Sequence, residues 1–200
     1  MDLHPRALQI VEACENLYKT MDFREINLKE ISNVTEFSRP TIYNYFQSKE
    51  EIFLTLLTRE YEGWAQELLA FAAKEIAVQK EKFATFLGDS IEKRGLMTKL
   101  LSNNLADMEV NSRFEIIVRF KKAYGSILMA MDTCLRVFFP QMNKKERQEF
   151  IYRFFPYLMG VHAYAVGTEI QRQAMEEAGV EFVFYSVEEL IESLVKGILS

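Results

Sequence analysis

Residues 37–49 read FSRPTIYNYFQSK, and they hold the side chains best suited to recognition chemistry. Ser38 is a helix-capping type and Pro40 suits a first helical turn. On a helix starting after Ser38, Ile42 and Phe46 lie four apart and face inward. Arg39, Thr41, Tyr43, Asn44 and Lys49 are then left with no evident core role. A guanidinium matches the guanine edge and an amide the adenine edge, while hydroxyls and an ammonium suit phosphates. The stretch contains no acid, so its local charge is positive although the whole chain carries −5. A protein that touches only a few phosphates needs local rather than global positive charge. On spacing alone, Tyr43 and Tyr45 could equally be packing aromatics on an ordinary surface helix.

The flanking elements all read as helices. Pro5 opens a first helix whose apolar positions Leu8, Val11, Cys14 and Leu17–Tyr18 follow three-four spacing. Asn27, with Glu30 three residues on, has the layout of a capping box for a short second helix buried through Leu28, Ile31 and Val34. Residues 39–46 form the third helix. Ser48 caps a fourth, with Glu50 and Glu51 in its favourable first turn, that runs toward residue 73. Further helices are expected over 79–93, 96–108, 112–139, 143–177 (bent at Pro156) and 186–199. Eight glycines and four prolines in 200 residues are few for an all-β protein, so the fold class is all-α.

Several functions are disfavoured. There is no glycine-rich phosphate loop, GxSxG or HExxH, and no Cys–His pair with suggestive spacing, so an enzyme is not expected. With only His4 and His162 a His-rich zinc site is excluded, and neither metal nor cofactor is expected. Cys14 and Cys134 lie in apolar helical stretches and read as reduced core thiols, which suits a cytoplasmic protein. Charges interrupt both the first 19 residues and the apolar run 126–139, so neither a signal peptide nor a membrane span is expected.

From about residue 6 to 57 the chain resembles the tetracycline-repressor (TetR) family. The resemblance is carried, in order, by the first helix, the Asn27 cap, Ile31, the run SRPTIYNYF and the restart Ser48-Lys49-Glu50. It implies a three-helix DNA-binding domain with a helix-turn-helix over 1–48, and a helical-bundle ligand-binding and dimerisation domain over 49–200. The DNA-contacting set it implies is Asn27, Lys29, Ser38, Arg39, Pro40, Thr41, Tyr43, Asn44, Tyr45 and Lys49. Arg39, Pro40 and Thr41 would meet base edges and the nearest phosphates; Tyr43 and Lys49 would grip the backbone. Lys29 could reach either, and Tyr45 either joins them or packs beside Ile42. Glu36 stands where the family commonly has glycine. A non-glycine in a left-handed turn costs about 1–2 kcal/mol, so a reshaped turn is expected.

The resemblance further implies a sequence-specific regulator, usually a repressor. Its partners would be an inverted-repeat DNA operator, a second copy of the chain bound through the last two helices, and a small effector. Residues 112–139 carry two apolar stripes, Phe114, Ile117, Tyr124, Leu128, Met131, Leu135 and Ile116, Phe120, Ile127, Cys134, Val137, as a central bundle helix would. Gly160, Ala163, Ala165 and Gly167 would permit close helix approach, across an interface or within one chain. Candidate effector contacts are Trp64, Phe120, Tyr124, Met129 and His162, each of which could equally be core. The Phe- and Met-rich composition favours an apolar or aromatic effector. The competing reading keeps the fold but makes the protein an architectural or division-associated DNA-bound factor with no effector.

Overall fold

The computed structural model describes residues 3–75 and 77–199, and all regular structure among them is α-helical. In chain order the helices are α1 Pro5–Tyr18, α2 Leu28–Asn33, α3 Arg39–Tyr43, α4 Lys49–Lys74, α5 Lys80–Glu92 and α6 Gly95–Asn103. They continue with α7 Leu105–Val110, α8 Phe114–Phe138, α9 Lys144–Ala165, α10 Glu169–Glu177 and α11 Val187–Ile198. The chain packs as two compact units: Met1–Glu67 with Asn104–Ala130, and Leu68–Asn103 with Met131–Ser200. The expected division at residue 48 follows the motif; the packing units divide the chain elsewhere, and α4 and α8 each supply residues to both.

The capping residues start their helices. Asn27 Oδ1 accepts from the Lys29 and Glu30 amides at 2.9 and 3.1 Å, and Ser38 Oγ from the Thr41 amide at 3.4 Å. Asn143, Thr168 and Ser186 each make a full capping box. Three expected helices end early or divide. The third stops at Tyr43, because the amides of Asn44 and Tyr45 bond three residues back, at 3.2 and 2.9 Å, and tighten the turn. The helix expected over 96–108 breaks at Asn104 (φ −136°, ψ −2°), giving α6 and α7. The helix expected over 143–177 passes through Pro156 unbroken and ends at Val166 (φ −115°, ψ 79°), after which Thr168 caps α10.

In the first unit, Ile10, Val11, Cys14, Ile26, Ile31, Ile42 and Phe53 are fully buried. Tyr18 and Phe23 meet Phe53 at ring separations of 5.1 and 4.8 Å. Truncating one of these large side chains to alanine costs about 2–5 kcal/mol, so the three short helices are held by shared burial rather than by length. Of the two apolar stripes on α8, Met131 and Leu135 of the first and Ile116, Phe120, Ile127 and Cys134 of the second are buried, whereas Phe114 is 74% exposed and Val137 41%. The expectation of burial on both sides therefore holds only in part along α8.

In the second unit α11 packs mainly on α5 and also on α9, and α6 packs on α9. Val187, Ile191 and Val195 form the buried side of α11. Gly88 on α5 permits close approach: a Cβ there would lie 2.9 Å from the Glu188 carbonyl oxygen. Cys14 and Cys134 are free and buried. Burial raises both thiol pKa values, that of Cys134 to about 12, so both stay protonated and inert.

Candidate nucleic-acid interface

The turn between α2 and α3 is built without glycine. No described non-glycine residue has positive φ, so Glu36 is not left-handed and carries no such strain. Hydroxyls shape the turn instead: Ser32 Oγ donates to Phe37 O at 2.8 Å and Thr35 Oγ1 to Ile31 O at 3.0 Å. Thr35 Oγ1 also accepts from the Phe37 amide at 3.3 Å.

Helix α3 is anchored from behind by Ile42, 0% exposed, and by Phe46 just beyond its end, 2% exposed. Its outer surface presents Ser38, Arg39, Pro40, Tyr43 and Asn44 to solvent, with Thr41 half-buried and hydrogen-bonded to Ser38 Oγ at 2.9 Å. Asn27 and Lys29 are also exposed. Asn27 is already occupied as a cap, so the Lys29 ammonium is the freer donor at the start of α2.

Two of the expected contacts are committed within the chain. Tyr45 is half-buried and its ring lies 5.3 Å from that of His4. Lys49 Nζ donates to Phe23 O at 2.5 Å and sits 4.4 Å from the centre of the Phe23 ring. A phosphate would have to compete with both the carbonyl and a cation–π contact for that ammonium.

Sequence reasoning missed the polar cluster at the starts of α4 and α8. Glu51 is 1% exposed, and its carboxylate accepts from Arg113 Nε at 2.7 Å, Arg113 Nη2 at 2.8 Å and the Arg113 amide at 3.0 Å. The Gln47 amide donates to it at 2.8 Å. Arg113 Nη2 also donates to Tyr45 O at 3.0 Å, and Ser48 Oγ donates to Asn111 O at 2.9 Å. The start of α8 is thereby tied to the segment that follows α3 and to the start of α4. Burial alone would raise the Glu51 pKa, but the hydrogen bonds from Arg113 and Gln47 outweigh it and hold the carboxyl below its ordinary value. No local signal pointed to this pair, whose members are 62 residues apart.

The candidate effector contacts divide between the two units. In the first, Trp64 is 0% exposed, Phe120 is buried and Tyr124 half-buried. Tyr61 bridges Phe120 and Tyr124, with ring separations of 5.5 and 6.1 Å. Met129 is 67% exposed. In the second unit, His162 Nδ1 lies 3.3 Å from Thr98 Oγ1. Burial, and then the nearby Lys99 charge, lower the His162 pKa, so the imidazole is neutral at pH 7. Two grooves open in this unit. One, of about 530 Å³, is lined by Val78, Lys82, Val137, Phe138 and neighbours; the other, of about 250 Å³, by Met142, Phe150, Arg153, Ile198 and neighbours. Neither includes a candidate effector residue. Among the described residues no cluster of His, Cys, Asp and Glu is arranged for a metal, and no helix is long and apolar enough to cross a membrane.

Comparison with known proteins gives this geometry a family. The family described as bacterial regulatory proteins, tetR family, matches residues 10–56, and the tetracyclin repressor-like C-terminal domain matches 58–200. The HTH-type transcriptional regulator EthR of Mycobacterium tuberculosis is 41% identical over 54 residues, which are 27% of this chain and only 25% of EthR. The fatty acid degradation regulator FadR from Bacillus halodurans superposes with a TM-score of 0.63 at 15% identity, covering 100% of this chain and 97% of FadR. A TetR/AcrR regulator from Thermobifida fusca gives 0.62 at 16% identity, with 98% of each chain covered. These last two likenesses speak to fold alone. With both of its parts matched by the family's two domains, the chain belongs to the TetR family of bacterial transcriptional regulators.

Proposed function

We propose that the protein is a homodimeric, sequence-specific DNA-binding repressor that an apolar or aromatic small molecule releases from an inverted-repeat operator. The observation that carries the DNA reading is the division of α3. Ile42 and Phe46 are buried, while Arg39, Tyr43 and Asn44 are exposed, as is Lys29 at the start of α2. Such an element enters the major groove by its first turns. Arg39 and Asn44 supply base-edge donors, and Lys29 and Tyr43 supply phosphate contacts.

A single five-residue helix reads too few bases for selectivity, so two copies are required. Helix α9 offers the surface for this. Tyr152, Pro156, Met159, Ala163 and Val166 are all exposed at alternating four- and three-residue spacing, the seam pattern of paired helices. Leu190, Leu194 and Ile198, half-buried on α11, extend the apolar surface. Support for the effector comes from the Tyr61–Phe120–Tyr124 cluster, with Trp64 one helical turn beyond Tyr61 on α4.

Binding measured by fluorescence anisotropy on an operator selected from random DNA tests the reading. Arg39→Ala should lose about 1–3 kcal/mol and relax preference at one base position per half-site. If the variant keeps wild-type affinity and selectivity, α3 does not read DNA in this orientation.

A further inference from the structure

Residues 166–186 form an arm that is well built yet covers almost nothing. Thr168 caps α10 with a full capping box, and Gly179, at φ +66°, ends it, with the Val180 amide bonding back to Met175 O at 3.0 Å. The chain then returns so that Phe184 packs on Gly167, where a Cβ would lie 2.9 Å from the ring. The Arg172 guanidinium covers the same ring at 4.8 Å, and Phe182 meets it at 4.7 Å. Despite this order α10 has no buried residue. Ile170 is 78% exposed, Val183 67%, Val180 52% and Tyr185 50%. An ordered segment with this much bare apolar surface marks a contact site.

We infer that in the dimer this arm lies across the N-terminal half of α9 of the second copy. The inference rests on the dimer reading above and adds its direction and a second contact region. The arm leaves α9 at Val166, the last position of the exposed stripe, so its apolar surface continues that seam. A two-fold contact pairs the stripe with itself, and charge decides the direction. The arm carries exposed Glu169, Glu176, Glu177 and Glu181 against the single cation Arg172. The start of α9 exposes Lys144, Lys145 and Arg153 against Glu146, which serves the helix cap, and Glu149, 3.8 Å from Lys145, leaving a small positive excess. Parallel helices would set arm against arm and cations against cations; antiparallel helices set each arm beside the other copy's cations. The reach fits. From Met159, Lys145 lies 14 residues toward the N-terminus, about 21 Å along the helix. The arm begins 7 residues in the other direction, about 10 Å, and the nine residues of α10 are long enough to span the remainder.

The full-length protein tests this directly. Nitrogen-15-labelled and unlabelled chains, refolded together and treated with a zero-length carbodiimide, should give mixed-isotope peptides joining Lys144 or Lys145 to Glu169, Glu176, Glu177 or Glu181. In sedimentation, Ile170→Arg should weaken the dimer on the order of tenfold, and Tyr152→Arg should yield monomers with wild-type circular dichroism. If Tyr152→Arg dissociates the protein while Ile170→Arg leaves the affinity unchanged and no mixed-isotope link to the arm forms, the arm inference is overturned and the dimer reading stands. If Tyr152→Arg also leaves the dimer intact, the α9 interface fails, and the arm inference with it.

Discussion

Glu51 and Arg113 form a pair whose two members differ in environment. The carboxylate is sealed from water, whereas the Arg113 side chain is 40% exposed, so solvent screens the cation and weakens the Coulombic part of the bond. What remains is mainly hydrogen bonding to a buried acceptor. Arg113→Ala should therefore cost about 1–3 kcal/mol, the cost of under-satisfying a buried group. Its pH dependence is distinctive. Because the folded-state pKa of Glu51 is depressed, the stabilisation is complete above the unfolded value near 4.3 and is lost as pH falls through the folded one. Without Arg113 the burial of the carboxylate is no longer offset by those hydrogen bonds, so ionised Glu51 stops stabilising the fold and the gap between wild type and variant should close as pH falls. Urea titrations between pH 3 and 7 would show a cost of Arg113→Ala that is largest at neutral pH and shrinks toward pH 3; a cost independent of pH would mean that Arg113 does not set the Glu51 pKa. Lys49 gives a second residue-level prediction. With its ammonium on Phe23, Lys49→Ala should lower the melting temperature and leave the salt dependence of operator binding unchanged. A slope flattened by about one charge per half-site would show instead that Lys49 leaves Phe23 to grip a phosphate.

Among the helices, two glycines separate close packing from backbone entropy. Gly88 faces the backbone of α11, and a methyl group there meets the Glu188 carbonyl oxygen at 2.9 Å, an atom that cannot rotate away. Gly88→Ala should destabilise the protein by about 1–3 kcal/mol through forced separation of α5 and α11. Gly63 sits inside α4, where an added Cβ would meet nothing within 4 Å. Gly63→Ala should stabilise by about 0.5–1 kcal/mol, because alanine loses less backbone freedom on folding. Thermal melts of the two single variants should move in opposite directions. Equal destabilisation would mean that helix contacts, not clearance, dominate at both sites.

For the whole molecule, operator release requires that an effector favour a conformation with lower DNA affinity. Helix α4 begins at Lys49, beside the reading segment, and Trp64 lies 15 residues along it, about 22 Å at 1.5 Å per residue. Fully buried, this single tryptophan should start with blue-shifted emission and poor access to quencher. An effector that displaces operator should change Trp64 emission with the same ligand dependence. Release of DNA with emission, anisotropy and quenching all constant would place the coupling elsewhere. If no compound in a broad apolar and aromatic screen displaces operator, the effector part of the proposed function fails while the DNA reading stands.

What the sequence determined alone was local. Asn27, Ser38 and Ser48 could be read as caps because a cap acts within three residues, and Ile42 and Phe46 as an inward pair because helical period sets facing over one turn. The outward set on α3 followed by elimination, and the all-α class from the scarcity of glycine and proline. Tertiary structure decided everything that depends on distant residues meeting. Nothing near Glu51 announces Arg113, and nothing near Gly167 announces that Phe184 will lie on it. The same holds for Lys49: its type promised a phosphate contact, but the fold brings the Phe23 carbonyl and ring within reach of its ammonium. Periodicity carried the expected helix on to residue 177, yet α9, with Pro156 inside it, stops at Val166, beside the glycine that Phe184 covers. A helix breaks where packing and a competing cap prevail, and both depend on partners brought together only by the fold.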